Sequence, residues 1–301
     1  MLNIHLLLDE ELKESYIELL CSTKFGNGKN AKTVKEKFEE HKLFFGNYSF
    51  EDIVFIEPEK INALVEELEV KNPKKDDLEK LFKYDGKFQP LIVKFFKKNL
   101  KPRTCYYCNI DFINVYDEEE NSKNKFTLDH FIDKGSYPYL ALSIFNLIPS
   151  CSVCNSKIKG SIPFYGDKEL EITNPYLKSF RFDEKVKFKL FLHKNCKDLN
   201  IKSKNDIVIP LKENYSNEYD KYIETFKLNE RYQAHKDIVF EMIKNAELYP
   251  ESRLKELQDL TGIPYQQIKQ DIFSLIDDNA DLSKEPFSKL KRDMGDELGL
   301  V

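Results

Sequence analysis

The chain has 301 residues, 47 Lys and Arg against 52 Asp and Glu, a formal net charge of -5 and 41% hydrophobic residues, enough for two or three modest domains with their own cores. The acidic balance argues against a general polyanion binder, and no apolar run approaches the ~20 residues that cross a bilayer. The opening MLNIHLLLDEELKES has acids where a secretory signal needs an apolar core, so a cytoplasmic protein with no membrane association is expected.

Residues 1–100 read as a helical N-terminal region. Leu12, Tyr16, Ile17 and Leu20 recur at helical spacing over Glu10 to Cys21, Lys32 to His41 forms a charged helix, and Ile61 to Val70 repeats apolar residues on one face. Phe25-Gly26-Asn27-Gly28-Lys29 breaks the first helix and Asn72-Pro73 ends the later one. The segment FGNGKNAKT lacks the spacing of a phosphate-binding Walker loop and follows no apolar strand, so it reads as a plain turn. From Lys87 to Arg103 there are five Lys, one Arg and no acid. That stretch is either a phosphate-facing patch or a solvated helix face.

Residues 101–166 carry the chemistry. Two Cys-X-X-Cys pairs, Cys105/Cys108 and Cys151/Cys154, bracket Leu128-Asp129-His130, and the second pair runs into Asn155. Two such pairs complete a tetrahedral zinc shell, and a closed four-thiolate shell leaves no open position for catalysis. The expected zinc is therefore structural. A disulfide framework suits a small secreted domain instead, and a redox Cys-X-X-Cys normally stands alone. Cys21 and Cys196 have no partner close in sequence and read as buried small hydrophobes. A hairpin is predicted, with a strand over Ile110 to Tyr116, an acidic tip at Asp117 to Glu120, and a return over Lys125 to Phe131. A short helix follows around Leu140 to Phe145, then another helical turn or two from Asn155 to Lys159, closed by Gly160.

Residues 167–301 read as mainly helical with a small strand pair, Val186 to His193 and Asp206 to Leu211. Helical patterns recur from Asn217 onward, and no internal repeat is evident. The fold class expected for the whole chain is α+β. His5, His41, His193 and His235 stand apart from other ligand-type residues and read as surface or packed imidazoles.

Asp129, His130, Asn146 and Asn155 are the candidate catalytic residues. Phosphodiester hydrolysis needs an activated water, a cation to absorb charge on the phosphate, and a geometry that holds both in line. His130 has the ordinary pKa, near ~6.5, of a general base. On a strand, Asp129 faces away from His130 and reaches a metal from the other side. A carboxylate with an amide carbonyl suits a hard ion, Mg²⁺ or Mn²⁺. The Asn146 carbonyl could orient the imidazole. Taken singly, either asparagine reads as a turn or cap residue. Lys157, Lys159 and Arg103 are candidate phosphate contacts, and the two lysines read otherwise as exposed helix positions.

Asp129-His130, Asn146-Leu147 and Cys151-X-X-Cys154-Asn155-X-Lys157 resemble the HNH endonucleases and their ββα-metal fold, and Cys105-X-X-Cys108 resembles the zinc-stapled branch of that family. The likeness covers about residues 101–160. It implies His130 as general base, Asp129 and Asn155 as holders of a catalytic divalent ion, and Asn146 as the residue that steadies the loop and the histidine. HFIDKGSYPYLALSIFNLIPSCSVCNSKIKG more loosely resembles bacterial HNH effectors of anti-phage systems, such as Septu and some retrons, which work beside an ATPase. Those effectors often carry Glu where this chain has Asp129. The resemblance thus implies a DNA-cleaving enzyme with a partner ATPase or other defence subunit. Two alternatives use the same residues: a catalytically silent zinc-containing module that binds nucleic acid or protein, and an RNase.

Overall fold

Helices alternate along the chain with small antiparallel strand pairs, the α+β class expected. The computed structural model describes residues 1–6, 8–25, 31–71, 74–113, 115–118, 121–124, 127–196 and 201–301. The turn read at Phe25 to Lys29 lies largely outside those residues, as does the break at Asn72-Pro73. Contacts divide the chain into two units. One comprises Asn3–Tyr106 and Ile113–Phe180, the other Met1–Leu2, Tyr107–Phe112 and Arg181–Val301. The N-terminal helices therefore share a unit with most of the cysteine-rich segment.

In the larger unit the first helix spans Glu10–Cys21, as its periodicity predicts, and Asp9 caps it by accepting from the Leu12 N–H at 2.8 Å. The helix read from Lys32 begins at Val34, because the Thr33 hydroxyl and the Glu36 carboxylate form a reciprocal cap there. Pro58–Glu69 starts on a proline, whose missing N–H costs nothing at a first turn. Gln89–Asn99 buries Ile92, Val93, Phe95 and Phe96. Tyr16, Phe38, Phe45, Phe50, Phe82, Phe88 and Phe96 are fully enclosed, each stabilising the unit by about 1.5–3 kcal/mol through burial.

This helical layer holds the site loop. The Tyr16 hydroxyl donates to the Leu142 carbonyl at 3.1 Å, the Tyr139 hydroxyl donates to Glu69 at 3.2 Å, and the Phe44 and Tyr139 rings lie 6.2 Å apart. Thr127–His130 pairs antiparallel with Leu147–Ser150, with Thr127 opposite Ser150 and His130 opposite Leu147. The predicted hairpin is thereby corrected. Val115–Glu118 pairs with Asn121–Asn124 as a separate ribbon over a two-residue connection, a length hairpins favour. The strand ending at His130 takes its partner from beyond the loop instead. Leu147–Ser150 is buried throughout, and Pro149, which lacks an N–H, hides it from a strand reading.

In the smaller unit Val186–Phe188 pairs with Leu211–Glu213, and Phe191–Leu192 with Ile207–Val208, so the strand pair expected there forms in two short pieces. Helices Asp220–Thr225, Leu228–Gln233, Lys236–Leu248, Glu251–Thr261, Tyr265–Phe273 and Ser288–Glu297 follow. The Tyr107 ring stacks on Phe226 at 4.6 Å. Asn109, left-handed at φ 54°, donates its amide to the Leu282 and Glu285 carbonyls and accepts from the Ser288 hydroxyl and the Lys289 N–H. Asn tolerates that conformation better than most residues. No helix among the described residues is long and apolar enough to cross a membrane.

Candidate functional site

The four cysteines of the two pairs converge. Cys105, Cys108, Cys151 and Cys154 are buried, undisulfided, and have Sγ atoms all within 4.8 Å of one another. Bonds of about 2.3 Å from one zinc ion set sulfurs about 3.8 Å apart, so small side-chain adjustments would close a shell. Local backbone is already arranged for thiolates: the Ile110 N–H points at Cys108 Sγ at 3.4 Å and the Cys154 N–H at Cys151 Sγ at 3.3 Å. Such donors stabilise negative sulfur. The loop carrying the first pair is tied down where Ile113 N–H meets the Arg103 carbonyl at 2.9 Å and Tyr106 N–H meets the Pro149 carbonyl at 3.3 Å. These four residues could hold a structural zinc. Cys21 and Cys196 are half-buried rather than enclosed: Cys21 is the last residue of its helix, and Cys196 follows a strand whose side chains face solvent.

The second cysteine pair leads from the return strand into a two-turn helix, Val153–Lys159, wound so that Gly160 N–H bonds the Asn155 carbonyl five residues back at 2.8 Å. Gly160 at φ 49° ends it, the left-handed stop its position suggests. Strand, return strand and helix thus follow one another, with Asp129 and His130 at the end of the first.

Strand alternation separates these two side chains. Asp129 faces the helix, where Lys159 Nζ lies 3.2 and 3.1 Å from its two oxygens. Asn155 is on the same side: its amide donates to Thr127 Oγ1 at 2.9 Å, and Thr127 precedes Asp129 by two residues. His130 faces the loop. Its Nε2 meets the Ala141 carbonyl at 3.0 Å and its ring sits edge-on to Tyr84 at 4.5 Å. A carbonyl only accepts, so Nε2 carries the hydrogen and Nδ1 holds the lone pair of the neutral ring. Burial, with the Lys134 and Lys159 charges adding to it and outweighing the Ala141 bond, pushes the imidazole down to about 4.

Asn146 is fully enclosed and acts on the loop rather than directly on the imidazole. Its Oδ1 accepts from the Ile132 N–H at 2.7 Å, and its amide donates to the Ile132 and Leu140 carbonyls at 3.0 and 3.1 Å. That clamp sets the residue preceding Ala141, and so fixes the carbonyl that His130 bonds. Lys157 and Arg103 are exposed, as a phosphate contact requires. Lys159 is not: its side chain is 4% exposed, because the Asp129 carboxylate, the His130 carbonyl at 2.8 Å and the face of Phe164 at 5.0 Å hold it inward. Reading it as a surface phosphate contact or as an exposed helix lysine is corrected on that ground.

The oxygen chemistry of Asp129 and Asn155 fits a hard divalent ion, with one condition: the carboxylate is already neutralised by Lys159. Tyr84, Ala141 and Thr127 are site residues that motif reading missed. Thr127 was within reach, since alternation puts it on the face of Asp129, whereas Tyr84 lies well outside the motif segment and Ala141 contributes a backbone carbonyl, which no side-chain motif marks. Tyr84 and Ala141 also line a cavity of about 530 Å³ whose lining mixes lysines (Lys80, Lys83, Lys134) with acids (Asp76, Glu79, Asp85, Asp133). The Tyr84 hydroxyl is buried with no hydrogen-bond partner among the described residues. No known protein family, curated protein or solved structure matches the chain.

Proposed function

We propose that this chain is a metal-dependent endonuclease of the HNH type that hydrolyses phosphodiester bonds of nucleic acid, DNA in preference to RNA, and that it serves bacterial anti-phage defence beside a partner such as an ATPase. The observation that carries the reading is the contact of His130 Nε2 with the Ala141 carbonyl at 3.0 Å: because a carbonyl only accepts, the hydrogen belongs on Nε2 and Nδ1 is left as a proton acceptor. A general base must be neutral and oriented; burial lowers the imidazole to about 4, below the ordinary value near ~6.5, which keeps it neutral at physiological pH at a cost in basicity. His130 then removes the proton from an attacking water, Asn146 holds the loop that orients the ring, and Asp129 with Asn155 offers oxygen ligands on the opposite face. A divalent ion bound there would supply charge stabilisation at the scissile phosphate. Lys157 and Arg103 supply exposed positive charge for the nucleic-acid backbone. The expected products carry 5′-phosphate and 3′-hydroxyl ends.

Two observations favour a second reading, a zinc-stapled module that binds without turnover. Asp129 is occupied by Lys159, and His130 is only 8% exposed. The deciding experiment incubates purified wild type and His130→Ala with plasmid DNA and with total RNA in Mg²⁺, Mn²⁺ or EDTA. Metal-dependent cleavage by wild type that disappears in the variant supports the enzyme, and the substrate consumed separates DNase from RNase. Cleavage that survives in His130→Ala sinks the catalytic assignment. Tight nucleic-acid binding with no cleavage in any metal supports the silent module.

A further inference from the structure

We infer that Lys159 is a built-in competitor for the divalent ion: its ammonium occupies the Asp129 carboxylate, and an ion gains that carboxylate only when Lys159 swings out. The inference rests on the proposed role of Asp129 as a metal ligand and adds a positioning residue that sets how much metal the site requires.

Lys159 is held as a cation is held in a designed pocket. Nζ sits 3.2 and 3.1 Å from the two Asp129 oxygens and 2.8 Å from the His130 carbonyl, with the Phe164 ring face at 5.0 Å. Phe131 packs edge-on against Phe164 at 5.1 Å and fixes that ring. Both partners of the pair are enclosed, with side-chain exposures of 4% and 5%. A charge this far from water is retained only when it is matched, so Asp129 must keep a cation at all times. The ligands around Nζ are a carboxylate and a backbone carbonyl, the oxygen types that also hold Mg²⁺ or Mn²⁺.

The helix supplies the means of exchange. Lys159 lies four residues after Asn155, so both project from the same side of the short helix. Its last turn closes at Gly160, whose left-handed backbone ends the segment next to the lysine. A long flexible stem at a helix terminus can leave without unfolding what precedes it. A divalent ion arriving at Asp129 would meet an occupied carboxylate, and its apparent affinity would carry the free energy of displacing the ammonium.

The test uses the full-length protein. Amine-reactive labelling of wild type, read residue by residue by mass spectrometry, should show Lys159 protected without divalent metal and at least about tenfold more reactive with saturating Mn²⁺, while exposed Lys157 stays constant. In parallel, Mn²⁺ binding followed by electron paramagnetic resonance should be at least about tenfold tighter in Lys159→Met, a change of about one decade in Kd. Lys159→Arg should retain weak binding, and Lys159→Met with Asp129→Asn should lose the gain. Unchanged Lys159 labelling while Mn²⁺ binds in an Asp129-dependent way overturns the competition and leaves the metal site standing. Mn²⁺ binding that ignores Asp129 in every variant overturns both. Because the labelling arm uses wild type, the exchange remains measurable even if Lys159→Met folds poorly.

Discussion

A lysine is among the residue types least often enclosed, and Lys159 shows how one side chain escapes sequence reading. Its placement is decided by a carboxylate 30 residues earlier in the chain, which no local pattern signals. Asn146 was legible as a residue of interest but not in its action. An asparagine that looks like a loop residue proves to hold three backbone groups at once. Its replacement by alanine would take away the partner of the enclosed Ile132 N–H and of the Ile132 carbonyl, while the Leu140 carbonyl keeps the Ser143 N–H at 3.2 Å, at about 1–3 kcal/mol for an unsatisfied group. Asn146→Ala is therefore expected to lose about 2–4 kcal/mol in urea unfolding, and to lose cleavage as well through the freed Ala141 carbonyl. Full stability in that variant would remove Asn146 from the clamp.

Among the elements, long periodic helices were the most legible. Glu10–Cys21 forms where its apolar spacing puts it, and the turn from Asn155 to Gly160 closes as its glycine indicates. Strand pairing was legible only in part: the pair read at Val186 to His193 and Asp206 to Leu211 forms, but the partner of Thr127–His130 was not foreseen. A strand's partner is fixed by burial and loop geometry rather than by its own alternation, and Leu147–Ser150 concealed itself behind a proline. Short helices such as Phe50–Val54 and Lys75–Leu81 were missed because five to seven residues carry too few turns for a period to register. The cysteine pairs were read from spacing alone, and the structure brings all four together. If they hold zinc, the metal's binding energy is folding energy for the strand-and-helix element. Cys151→Ser should then abolish zinc content measured by inductively coupled plasma mass spectrometry and lower the melting temperature. Cys21→Ser and Cys196→Ser should leave zinc content at the wild-type level. Wild-type protein that purifies without zinc and melts identically with and without a strong chelator would refute a structural metal.

At the scale of the molecule, both units enclose clusters of aromatic rings, mostly tilted or edge-on, and the smaller adds an enclosed ion network around Ser288–Glu297. Lys289 is wholly buried and joins Asp183 at 3.1 Å to Asp293 at 2.9 Å, while Asp293 also accepts from the Phe188 N–H at 3.0 Å and Arg292 reaches Asp183. Burial by itself would raise the Asp183 carboxyl, but the Lys289 charge and the Arg292 hydrogen bond and charge overrule it and hold the group well below the usual carboxylate range. A folded-state pKa below the unfolded value, about 3.9 for Asp, stabilises the fold fully above the unfolded value. That contribution drains away as pH falls beneath it, because protonation then favours the unfolded chain. Asp183→Asn should accordingly destabilise the smaller unit at pH 7, by about 1–3 kcal/mol for a lost hydrogen bond to charged partners, and the gap to wild type should narrow as the pH is lowered through 4 toward 2. Urea titrations of both proteins at neutral and acid pH measure that gap. A gap that stays constant across the range would mean that Asp183 acts by packing alone, and that its charge contributes nothing to holding the helix against the strand pair.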